Sequence, residues 1–123
     1  GGASMKTIGV IGSRRRNGLE DLAAVRKAII EHYRDGDTFV SGGCPQGGDR
    51  FGKIVAAELK APMHIYPAQW HIYGRSAGFK RNGLIARDAD ILIACIAGDR
   101  RGGTEDTIRK FMSKTDHGVL ILV

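Results

Sequence analysis

The chain has 123 residues, 42% of them hydrophobic and 26% charged, a size and balance suited to one globular domain around one core. No apolar run approaches the roughly 20 residues needed to span a bilayer, and nothing reads as a signal peptide. The formal net charge of +6 is compatible with a solvated basic surface or with a phosphate-bearing partner, so the position of the cations along the chain decides its meaning.

Gly1-Gly2-Ala3-Ser4 ahead of Met5 reads as a cloning remnant, leaving residues 5–123 as a single domain. Lys6 to Gly12 is a short β-prone run that stops at glycine. Asn17 followed by Glu20 predicts a helix start with a capping box, and Leu22, Val25, Ala28 and Ile29 recur at helical spacing to about Tyr33. Asp35-Gly36-Asp37 is a turn and Thr38-Phe39-Val40 a second strand. A glycine-rich loop from Ser41 to Gly48 precedes a helix carrying Phe51, Ile54, Val55 and Leu59 on one face. Met63 to Tyr66 is a third strand, Pro67 to Ser76 an aromatic-rich loop, and Ala77 to about Arg87 a helix. Asp90 to Ile96 is a fully apolar fourth strand. A helix capped near Thr104 runs to about Lys114, and Val119 to Val123 closes the chain as a fifth strand. Strands alternating with helices predict a Rossmann-like three-layer α/β fold with a mostly parallel five-stranded sheet.

In such sheets ligands bind beyond the C-terminal ends of the strands. The unusual residues lie there: Gly12-Ser13-Arg14 after strand one, and Ser41-Gly42-Gly43 with Gly47-Gly48-Asp49 after strand two. Arg81-Asn82 follows strand three, and Gly102-Gly103-Thr104 follows strand four. Each loop leads into a helix N-terminus, where free N–H groups and the helix dipole favour an anion. Arginine adds a bidentate fork for phosphate. Trp70, Tyr73 and Phe79 interleaved with Arg75, Lys80 and Arg81 suggest an aromatic wall for a base.

Other chemistries fit less well. Neither Ser13 nor Ser41 stands in a G-x-S-x-G elbow, and the loop ending at Gly48 lacks the Gly-Lys-Ser/Thr of a Walker A motif. His32, His64, His71 and His117 have no ligand spacing, and Cys44 and Cys95 form no CxxC. Nothing in the sequence requires a metal or a cofactor, and the free cysteines fit a reducing cytoplasm.

Taken together, Gly12-Ser13-Arg14, Ser41-Gly42-Gly43, Gly47-Gly48-Asp49, Trp70 with Tyr73-Gly74, Ala77-Gly78, Arg81-Asn82 and Gly103-Thr104 resemble the YspA-like branch of the SLOG superfamily, over nearly the whole chain. The resemblance implies a Rossmann-like fold, a small nucleotide-type ligand and pairing into a homodimer. It also brings in the lonely-guy phosphoribohydrolases, whose Arg-Lys pair falls on Arg81-Asn82 and whose GT falls on Gly103-Thr104. Their lysine and final carboxylate are absent here, the latter position being Thr107. Three readings follow. One is a nucleotide sensor or binding module. Another is an N-glycosidic hydrolase in which Arg81 serves the phosphate or base, and Asp106, Glu105 or Asp49 serves the sugar. The third is a DprA-like single-stranded DNA binder using the same cationic edge.

Overall fold

The structure, a computed structural model, describes residues 5–123; residues 1–4, on which the expectation of a cloning remnant falls, lie outside the described residues. Strands β1 (Thr7–Gly12), β2 (Thr38–Gly42), β3 (Met63–Tyr66), β4 (Ile91–Cys95) and β5 (Val119–Leu122) form one sheet in the order β3-β2-β1-β4-β5. Every neighbouring pair is parallel, with Ile8 level with Phe39 on one side and Ile91 on the other. The sheet is therefore wholly parallel.

Helices cover both faces, which is why β1 and β4 are apolar throughout instead of alternating with polar residues. The period-two alternation of strand side chains sorts the core into two layers. Ile8, Val10, Phe39, Ile91 and Ile93 face α1 (Leu19–His32) and α2 (Gly48–Glu58), meeting Val25, Ile29, Phe51 and Val55. Ile11, Val40, Leu92 and Ala94 face the opposite layer, formed by α4 (Ala77–Asp88) and α5 (Gly103–Met112), through Ile85, Ile108 and Phe111. Phe39, Phe51 and Phe111 are completely enclosed, each burial contributing about 1.5–3 kcal/mol. Gly9 lets the end of α4 lie close to the sheet, since a Cβ there would come within 3.0 Å of Ala89 Cβ and 3.7 Å of Ile85 Cγ2.

Three local features differ from the sequence expectation. The N-cap of α1 is Gly18, not Asn17, and it is Asp21 that reaches back to accept from the Gly18 N–H at 3.1 Å. Asn17 is drawn off because its Oδ1 accepts from the Gly47 N–H at 2.8 Å, tying the first loop to the second. The aromatic-rich segment is not all loop: α3 (Trp70–Tyr73) and a 3₁₀ turn at Gly74–Ser76 lead into α4. Finally, α5 is capped by Gly102 rather than Thr104 and ends at Met112.

The strand order fixes where a ligand can enter. From β1 the chain steps outward through β2 to β3, then crosses back to β4 on the other side of β1. The loops after β1 and β4 leave in opposite directions and open a crevice between them, the usual ligand position in this architecture.

Candidate functional site

A cavity of about 450 Å³ lies in that crevice. Ile11, Ile85 and Thr107 form apolar or buried lining, and the polar lining comes from four segments: Gly12 to Arg15, Cys44 with Asp49, Arg81 with Asn82, and Arg101 to Thr104. Of the sequence-derived candidates, the structure brings together Gly12, Ser13, Arg14, Asp49, Arg81, Asn82, Gly102, Gly103 and Thr104.

The three consecutive arginines have three different fates. Arg16 is structural, its guanidinium donating to the Ile96 carbonyl at 3.0 Å, to the Val123 carbonyl and to Asp21 at 2.9 Å. Arg15 forms a two-point pair with Asp99, at 2.9 and 2.5 Å; this contact holds the Asp99 carboxyl below its ordinary range. Arg14 lines the cavity and, among the described residues, has no carboxylate partner. The same partition recurs on the far wall. Arg100 is taken by Glu105 at 2.8 Å, leaving Arg101 unpaired toward the cavity. Glu105, offered by the sequence as a catalytic carboxylate, is thus engaged outside the cavity lining.

Arg81 completes the cationic set and is held in place by a relay. Its Nε donates to Asn82 Oδ1 at 3.0 Å. Asn82 Nδ2 donates in turn to Asp106 Oδ2 at 3.1 Å and to the Gly103 carbonyl at 3.3 Å. Asp106 is only 5% exposed and is further clamped by Arg109 and by Lys110 Nζ at 2.8 Å. A buried carboxylate with this many donors is a fixed anchor, and it does not line the cavity.

The N-terminus of α5 opens into the cleft. Gly102 adopts φ +100°, a conformation close to glycine-only, and no side chain caps the helix. The first intrahelical bond runs from the Asp106 N–H to the Gly102 carbonyl, so the preceding N–H groups have no helical partner. The start of α2 is closed by contrast. The Gly48 backbone lies against Ile11 and Gly12, and the Gly47 N–H is spent on Asn17. Gly42, Gly43, Gly47 and Gly48 accordingly do not line the cavity; the first, third and fourth are buried behind it.

Asp49 is the carboxyl that reaches the cavity. Its Oδ2 accepts from the Cys44 N–H at 3.1 Å, and its Oδ1 lies 3.0 Å from the Ser41 hydroxyl. Ser41 Oγ lies closer, at 2.5 Å, to the Val10 carbonyl, and a hydroxyl has one proton. The Ser41 hydroxyl thus divides one proton between the Val10 carbonyl and Asp49 Oδ1. Burial raises the Asp49 carboxyl above its ordinary value, against the opposing effects of the Cys44 N–H, Ser41 and Arg81.

Trp70 and Tyr73 are not part of this site: they lie outside its lining and are 61% and 45% exposed. Conversely, the sequence-derived site omitted Ile11, Arg15, Cys44, Ile85, Arg101 and Thr107. For Arg101 the signal was present in the run Asp99 to Glu105, where the neighbouring arginines have acids to pair with and it does not. Among the described residues no three His, Cys, Asp or Glu side chains gather in a metal-ligating group, and no helix is long and apolar enough to cross a membrane. No family model, curated protein or solved structure matches this chain.

Proposed function

We propose that the chain is a binding module for a nucleotide or nucleotide-derived phosphate, held in the cleft between β1 and β4. One observation carries this reading: Arg14, Arg81 and Arg101 line a single cavity beside the uncapped N-terminus of α5 and, among the described residues, none has a carboxylate within ion-pair distance. Arg15 at the cavity rim and Arg100 are neutralised by Asp99 and Glu105, while Arg14, Arg81 and Arg101 are left for an anion. A volume of about 450 Å³ suits a ligand of mononucleotide size. The likeness to the YspA-like branch of the SLOG superfamily belongs to the same proposal.

The test is a thermal-shift panel at physiological salt with nucleoside mono-, di- and triphosphates, ADP-ribose and cyclic nucleotides. A ligand at a hundredfold its Kd stabilises by about 2.7 kcal/mol, or roughly 10 °C for a domain of this size. One class is expected to produce that shift, and Arg81→Ala to reduce it by about half or more. A flat panel would reject the proposal.

A second reading, N-glycosidic hydrolysis, is favoured by Asp49. In that reaction the Asp49 carboxyl at the cavity wall, its pKa raised by burial, protonates a departing base while water adds to the sugar carbon and gives its proton back, releasing free base and the sugar phosphate. On this reading Asp49→Asn retains binding and loses base release. Binding with no base release by the unaltered protein would leave the first reading alone.

A further inference from the structure

The aromatic cluster at α3 is left without a role by the cleft. All four residues of α3 and the three of the following turn are exposed, and none of the seven is buried. Trp70, Ile72 and Tyr73 are joined by Phe79, 58% exposed on the first turns of α4. Large apolar side chains gathered on one surface without intrachain cover mark an interaction site.

The charge around the cluster specifies the partner. From Leu59 to Arg87 the sequence contains no aspartate or glutamate. Within that span Arg75, two residues after Tyr73, and Lys80 are exposed. Lys80 Nζ lies 4.9 Å from the Tyr73 ring centroid, so a cation is held at the level of the aromatic surface. A second copy docking here about a two-fold axis would set Arg75 and Lys80 against themselves with no local carboxylate to neutralise them. A helix of one turn is too short to lie as an amphipathic anchor in a bilayer. A strand of nucleic acid with unpaired bases satisfies both features, offering flat bases to the rings and phosphates to the ammonium and guanidinium groups.

We propose that the α3–α4 surface formed by Trp70, Tyr73 and Phe79 with Arg75 and Lys80 is a stacking platform for a single-stranded polynucleotide. It lies outside the nucleotide cleft and stands or falls separately from it.

Trp70 is the only tryptophan, so its fluorescence reports on this surface alone. The experiment titrates the whole protein with a twelve-residue oligothymidylate and follows Trp70 emission, with AMP, duplex DNA, polyglutamate and anionic vesicles as parallel titrants. The expected result is saturable quenching by the oligonucleotide, none by AMP, and at least tenfold weaker binding of the duplex. Tyr73→Ala and Phe79→Ala, both at exposed positions, should each weaken binding about fivefold or more. Replacing Arg75 and Lys80 with alanine should flatten the log–log salt dependence by about 1.4. No quenching, equal affinity for polyglutamate or duplex, preference for vesicles, or unaltered affinity in both aromatic variants would each overturn the proposal.

Discussion

The two walls of the cleft use the same residue types to opposite ends. On the β1–β2 side glycine is consumed by packing: a Cβ on Gly48 would lie 2.1 Å from the Ile11 carbonyl carbon, and one on Gly47 would lie 2.4 Å from the Ser13 oxygen. On the β4–α5 side Gly98 and Gly102 have nothing within 4 Å of the same position. The first wall is rigid because backbone touches backbone. The second is open, with an uncapped helix end and an unpaired arginine. A ligand is therefore gripped by the open wall and registered against the closed one.

The largest effect expected from breaking this contrast is at Gly48. The clashing atoms are main chain on both sides, so Gly48→Ala should cost at least about 3 kcal/mol and lower the melting midpoint by more than 10 °C. Gly98→Ala, on the open wall, should leave the midpoint within about 3 °C. Equal losses at the two sites, read by calorimetry, would dissolve the distinction.

Next in size are the cations between the walls. Arg81→Ala should weaken the best mononucleotide by about 10- to 150-fold, the range for a hydrogen bond to a charged group. Asn82→Ala should cost less, about tenfold, because it frees the Arg81 guanidinium without removing it. A structural role for Asn82 alone would leave the Arg81 Nε–H proton slowly exchanging by NMR; the relay predicts fast exchange in this variant.

Asp49 gives the smallest and most pH-dependent change. Because burial raises its folded-state pKa, the folded chain binds more protons than the unfolded one, and stability falls as pH rises through that range. Asp49→Asn removes this penalty while keeping the shape of the side chain. The variant should melt above the parent at pH 7, with the gap closing below the ordinary aspartate pKa near 3.8. A gap that widens on acidification would show Asp49 to be stabilised as an anion.

These contrasts also explain what the sequence could disclose. The sheet was legible because β1 and β4 are continuous apolar runs ended by glycine or loop residues, and the helices between them keep a clean face such as Leu22, Val25 and Ile29. The loops of the cleft were legible as places where glycine and arginine gather at strand ends. Their individual roles were not, because Arg14, Arg15 and Arg16 are identical in sequence and are told apart largely by Asp99 and the Ile96 and Val123 carbonyls, 80 or more residues away in the chain. The same holds for Gly48 and Gly98, which differ only in what lies opposite. Asp106 drew attention as an acid at a helix start, yet Arg109 and Lys110 one turn along α5 and Asn82 on α4 hold it behind the wall, the last through packing of α4 on α5 that the sequence does not display.

The most direct test is an amide NMR titration with AMP at physiological salt. The account predicts that the Ser13, Arg14, Gly103 and Thr104 signals move together and saturate, while the Trp70 indole signal stays in place. Saturable shifts confined to α3, or no shift at the four cleft amides, would contradict it.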